Sequence, residues 1–123
     1  MYKKILLIDD DEDEQFFFTE ALKEIEAPVK FFFAITAGEG IKLMRFLSPD
    51  IVFIDINMPL LNGLECLDLI KNDDKINSIP VVIYSTGVDG VVCDDAIKKG
   101  AIDCLKKTNS IKGLTTVLRR LFI

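Results

Sequence analysis

The chain has 123 residues, half of them hydrophobic and 28% charged, which suits one domain with a real core. A net charge of -5 argues against a nucleic-acid-binding surface, and no apolar run approaches the roughly 18–20 residues of a membrane span. There is no histidine, which excludes a histidine general base, histidine metal ligands and a phosphohistidine on this chain.

The first apolar run is Lys4–Ile8. The acidic stretch Asp9–Glu14 follows directly, so the start is too short in apolar residues to be a signal peptide. Phe18, Ala21, Leu22 and Ile25 then recur at i, i+3, i+4 and i+7, which predicts a first helix. Val29–Ile35 is the second apolar run, and Thr36 is placed to cap a helix carrying Ala37, Ile41, Met44 and Leu47. Asp50–Ile54 is the third run, followed by Asn62-Gly63 as a turn and a helix with Leu64, Leu67 and Ile70. Val81–Tyr84 is the fourth, followed by a weaker helical stretch with Cys93, Ala96 and Ile97 that stops at Gly100. Ile102–Leu105 is the fifth, and a last helix carries Ile111, Leu114, Leu118 and Leu121.

The runs are near-continuously apolar rather than alternating, as strands buried on both faces should be. Their regular alternation with helices predicts an α/β fold, a (βα)5 sandwich with a parallel sheet between two helical layers. Cys66, Cys93 and Cys104 form no CxxC pair and no zinc spacing. They are expected to be small core residues in a reduced, cytoplasmic chain.

In such sheets ligands gather beyond the carboxyl ends of the strands. Asp9, Asp10 and Asp11 follow the first run, Asp55 the third, Ser85 and Thr86 the fourth, and Lys106 and Lys107 the fifth. The second run offers only Thr36. Two carboxylates about 4 Å apart repel by roughly 1 kcal/mol in water and about 4 at an effective dielectric near 20. Several at one edge call for a cation, and oxygen ligands without His or Cys point to Mg²⁺. A metal-shielded Asp is a nucleophile towards phosphorus, and a lysine and a hydroxyl can neutralise the transferring phosphoryl oxygens. The rest of the acidic run, Asp11 to Glu14, reads as a solvated helix start, where negative charge is favourable.

Four segments together resemble the receiver domains of bacterial two-component response regulators. They are Ile5–Asp11, Pro49–Pro59 with Asn62-Gly63 following, Ile79–Thr86, and Gly100-Ala101 leading to Lys107. The resemblance covers essentially residues 1–123 as one stand-alone receiver domain, and implies the flavodoxin-like strand order 2-1-3-4-5. It implies that Asp55 is the phosphoacceptor and that Asp9 and Asp10 hold Mg²⁺, with the backbone carbonyl of Asn57 completing the metal site. It implies that Ser85, beside Thr86, is the switch hydroxyl and that Lys107 contacts the phosphoryl group. The implied donor is a phosphohistidine on a histidine kinase or histidine phosphotransfer protein. Output then goes to a downstream protein by contact or onward phosphotransfer, with no nucleic acid or membrane involved. Such a chain is a phosphoacceptor rather than an enzyme acting on other substrates.

Two positions depart from the family pattern. Thr108 stands where proline usually follows the lysine, and Cys104 stands where the family has Tyr or Phe. The family aromatic moves inward on phosphorylation, so Cys104 predicts a smaller response on the surface formed by the fourth helix, fifth strand and fifth helix. The competing readings are a docking module that takes no phosphate and a metal-dependent phosphatase. The full set of Asp9, Asp10, Asp55, Ser85 and Lys107 weighs against the first, and the lack of room for a lid weighs against the second.

Overall fold

The computed structural model describes residues 4–108 and 110–122. Strands and helices alternate as β1 (Lys4–Ile8), α1 (Glu12–Glu24), β2 (Lys30–Ala34), α2 (Ala37–Leu47), β3 (Ile51–Ile54), α3 (Gly63–Lys71), β4 (Val81–Ser85), α4 (Gly90–Lys98), β5 (Asp103–Lys106) and α5 (Ile111–Phe122). The strands pair in parallel in the order β2-β1-β3-β4-β5. This is the flavodoxin-like (βα)5 sandwich expected. No helix of the described residues is long and apolar enough to cross a membrane.

Successive side chains of a strand point to opposite faces. Ile5, Leu7, Phe53 and Tyr84 therefore pack on one side, against Phe18 and Leu22 of α1 and Leu114 and Leu118 of α5. Leu6, Ile8, Val52 and Ile83 pack on the other, against Met44 of α2, Leu67 and Ile70 of α3 and Ala96 of α4. Both phases of the central strands are buried, which is why their sequences do not alternate. The edge strand β2 is less covered, with Lys30 exposed and Phe31, Phe32 and Phe33 half-buried.

Helix starts are capped by side chains placed just before them. Asp11 accepts from the amide of Asp13 at 3.0 Å, and Thr36 accepts from that of Glu39 at 3.1 Å. Asn62 and Glu65 form a reciprocal capping box, so the expected turn at Asn62-Gly63 is the first turn of α3. Gly100, at φ +105°, ends the α4 turn in a conformation that L side chains rarely adopt.

Three expectations need correction. Cys93 and Cys104 are not free thiols: they are joined by a disulfide, with Cα atoms 5.5 Å apart. The chain folds back so that α4 lies over β5, and this tertiary placement leaves no mark in the sequence spacing. Cys66 alone is the buried free cysteine, its thiol pushed up to about 12 by burial. The second correction is at the weak fourth helix, where Ala96 is buried but Ile97 is 48% exposed. The fifth strand also begins one residue later than expected, which leaves Ile102 exposed.

Candidate functional site

The carboxyl ends of β1, β3 and β4 and the segment after β5 meet at one edge. Sheet hydrogen bonds hold the key backbones there. The amide of Asp9 donates to Ala34 O at 2.9 Å, that of Asp55 to Ile8 O at 3.0 Å, and that of Lys107 to Ser85 O at 3.0 Å. Asp9 and Asp55 are buried and Asp10 is exposed. Each offers one carboxylate oxygen, and these oxygens lie within 4.8 Å of one another.

Lys107 reaches into this cluster. Its Nζ lies 2.7 Å from Asp9 Oδ2 and 3.8 Å from Asp55 Oδ2, and its side chain is 6% exposed. Burial pushes the Asp9 carboxyl up to about 6 and the Asp55 charge adds to this, while the bonds from Lys107 and the Asp11 amide oppose it. Burial alone would lower the lysine, but the bond to Asp9 and the charges of Asp9, Asp55 and Glu14 outweigh it and hold the ammonium above its ordinary value. Lys106, one residue earlier, points to solvent. The Lys107–Thr108 peptide is trans, and the Thr108 amide donates to the Tyr84 hydroxyl at 3.4 Å. The lysine therefore enters the cluster without a proline behind it.

Ser85 is the last residue of β4 and is fully buried, and its hydroxyl has no hydrogen-bond partner among the described residues. Thr86 is exposed and lines the cleft together with Asp10, Asp55, Asn57 and Lys107. The Asn57 side chain crosses to the loop after β4, where a Cβ on Gly87 would stand 2.9 Å from its Nδ2. Cys104 lies in β5 in register with Ile83, two residues before Ser85 on the neighbouring strand.

One residue of the cleft was misplaced by the sequence. Glu14 is not a solvated helix start but is 5% exposed and lines the same cleft. Burial pushes its carboxyl up to about 7, against the pull of Lys107. The signal was present: Glu14 precedes Phe18, Ala21 and Leu22 at i+4, i+7 and i+8, on the buried stripe of α1.

The donor set fits a hard divalent cation. Three carboxylates converge, Asp55 Oδ1 is buried without a hydrogen-bond partner among the described residues, and burial holds the Asp9 carboxyl up at about 6 even with Lys107 beside it. Magnesium prefers such oxygen ligands and keeps waters where one side of the site is open, as it is at Asp10.

Known proteins resemble this chain in sequence and in fold. The model of the response regulator receiver domain matches residues 5–119. The nitrate/nitrite response regulator protein NarL of Escherichia coli is 35% identical over 87 residues, which are 71% of this chain and 39% of NarL. The response regulator domain of Thermotoga maritima CheB superposes with a TM-score of 0.84 at 23% identity, covering 99% of this chain and 94% of that one. The Mn(2+)-bound form of the response regulator Rcp1 superposes with a TM-score of 0.79 at 22% identity, covering 97% and 91%.

Proposed function

We propose, from the premise that this chain belongs to the response regulator receiver domain family, that Asp55 accepts a phosphoryl group from a phosphohistidine donor in a Mg²⁺-dependent reaction. The observation that carries this reading is the convergence of Asp9, Asp10 and Asp55 within 4.8 Å, with Lys107 among them. Asp9, Asp10 and Asp55, with the backbone carbonyl of Asn57, would hold the metal. Bound there, it would neutralise charge on the transferring phosphoryl oxygens.

This chain's own groups do the rest. A carboxylate oxygen of Asp55 forms the new bond to phosphorus as the bond from phosphorus to the donor imidazole nitrogen breaks. Lys107 offers its ammonium to a phosphoryl oxygen, and the hydroxyls of Ser85 and Thr86 donate to another. Ser85 has a free hydroxyl for this, and reaching the phosphoryl group takes a rotamer change and a small loop shift. A response regulator of the same fold, Rcp1, has a Mn(2+)-bound form, in keeping with a divalent metal as a partner of this chain. A hybrid signal transduction histidine kinase of Dictyostelium discoideum is among the sequence relatives, in keeping with a histidine kinase or histidine phosphotransfer protein as donor. Residues 1–123 then act as one receiver domain in the cytoplasm, a signalling phosphoacceptor whose output passes by protein contact or onward phosphotransfer.

The test is intact mass after incubation with a small acyl phosphate and Mg²⁺. The wild-type chain should gain one phosphoryl group, and Asp55→Asn should gain none. An undiminished adduct in that variant would falsify the assignment. Rapid release of inorganic phosphate without an adduct would favour hydrolysis, and neither adduct nor release would favour a docking module.

A further inference from the structure

We propose that Cys93 and Cys104 form a reversible thiol–disulfide site that exchanges with low-molecular-weight disulfides and fastens the front half of α4 to β5 when oxidised. This goes beyond phosphoryl transfer and needs no part of it.

The two sulfurs join elements that little else holds together at that end. Ala96 is the one fully buried residue of α4, Val91 is 80% exposed, and no residue of β5 is fully buried. The back half of α4 has ties of its own. Ala101 donates its amide to Ala96 O at 3.0 Å, and Lys99 pairs with Asp68 of α3 at 3.1 Å. The link from α4 to β5 thus falls on the half that is otherwise least anchored, directly after the loop that carries Thr86 and Gly87. Local opening is cheapest where few apolar contacts hold an element.

Access separates this pair from the third cysteine. Cys93 and Cys104 are each half-buried, so a small reagent can reach them, whereas Cys66 is sealed in the core with its thiol pushed up to about 12. The short connection between the pair is already closed by hydrogen bonds from Gly100 to Ile97 O and from Ile102 to Val81 O. The fold around Gly100 therefore does not depend on the covalent bond, and the bond is free to open.

The chemistry balances without any group from the protein beyond the two cysteines. One cysteine loses its proton, and the thiolate attacks one sulfur of a glutathione-type disulfide and expels one small thiolate. The second cysteine, also as thiolate, attacks the protein sulfur of that mixed disulfide and expels the second small thiolate. The protein loses two electrons and two protons, and the small disulfide becomes two thiols. Reduction is the same sequence reversed.

The full-length chain should be equilibrated in buffers of stepped reduced-to-oxidised glutathione ratio, then trapped with N-ethylmaleimide and mapped by peptide mass. Cys93 and Cys104 should pass together from labelled to linked within the series, while Cys66 stays unlinked throughout. In parallel, hydrogen exchange should show residues 90–95 losing protection by about tenfold or more on reduction. The double variant Cys93→Ser/Cys104→Ser should match the reduced protein in every buffer, whereas either single variant should carry one glutathione as a mixed disulfide in the oxidised buffers. A link that never forms across the series, or that survives excess dithiothreitol, would overturn reversibility. Equal protection of residues 90–95 in the linked and reduced forms would overturn the fastening.

Discussion

Lys107 Nζ stands 2.7 Å from Asp9 Oδ2, closer than to the carboxylate of Asp55. The lysine therefore compensates the more deeply buried acid, and the two act as one electrostatic unit. Removing one member of a buried pair leaves the other charge uncompensated. In chelator at pH 8, Lys107→Ala should lose on the order of 1–3 kcal/mol of stability by urea denaturation. Lys106→Ala, at an exposed position, should stay within about 0.5 kcal/mol of wild type. The same Lys107 variant should bind Mg²⁺ more tightly, because a positive charge has left the site, yet take up phosphoryl groups more slowly. Equal behaviour of the two variants would remove the distinction between the lysines.

Magnesium binding should depend on pH through Asp9. Its carboxyl is pushed up to about 6, and a protonated carboxyl is a poor ligand. Affinity should be level above about pH 7 and fall by up to about tenfold per pH unit below 6, as one bound proton must leave for each metal taken up. Asp10→Ala should abolish saturable binding at every pH and cost little stability, since Asp10 is exposed. Titration calorimetry in buffers of different ionisation heat would show the released proton. A flat affinity from pH 5 to 8 would sink this account of Asp9.

Glu14 makes a separate prediction about stability. Its carboxyl rises from 4.5 to about 7 on folding because burial penalises the charged form. The folded chain thus holds a proton that the unfolded chain has released, and stability falls as pH rises from about 4.5 to 7. The penalty is absent below that window and complete above it. Glu14→Gln in chelator should therefore gain on the order of 1–3 kcal/mol above pH 7 and nothing below pH 4.5. Urea midpoints across pH 4 to 8 measure it, and parallel profiles for the two proteins would count against the buried acid.

Gly63 governs the loop between the phosphoacceptor strand and α3. A Cβ there would run into the carbonyl oxygen of Asp55 and stand 2.8 Å from Ile56 Cα, both backbone atoms that yield poorly. Gly63→Ala should cost about 1–3 kcal/mol and shift the segment that carries Asn57. Magnesium affinity should drop with it. Gly38→Ala, whose added carbon meets nothing within 4 Å, is the control and should leave the affinity unchanged.

The sheet and its edge chemistry were readable because burial on both faces makes each central strand an unbroken apolar run. The polar residue at its end is then conspicuous. Asp55 after Ile51–Ile54 and Asp9 after Ile5–Ile8 stand out for this reason. Glu14 was legible in principle, on the stripe of Phe18 and Ala21, but its charge outweighed its phase in the reading. The Cys93–Cys104 link had no such signal. Its partners meet only because α4 packs over the edge strand, and Cys93 shares its periodicity with Ala96 and with an Ile97 that faces outwards. Thr108 was a departure whose effect the sequence left open. A trans peptide and the contact with the Tyr84 hydroxyl still deliver the neighbouring lysine to Asp9.

The edge position of β2 bears on how this chain fails. One side of Lys30–Ala34 pairs with β1, and the other carries no strand among those described. Three consecutive phenylalanines on such an edge form a template for intermolecular cross-β stacking. In the native molecule Phe31 is held by stacking on Phe18 of α1, at 5.5 Å between ring centroids. The exposed ammonium of Lys30 guards the entry to the strand, as gatekeeper charges do. Whatever loosens α1 releases that ring, so heating or acid should convert lost α1 packing directly into fibrillar or amorphous aggregation seeded at Phe31–Phe33, and Lys30→Ile should hasten it.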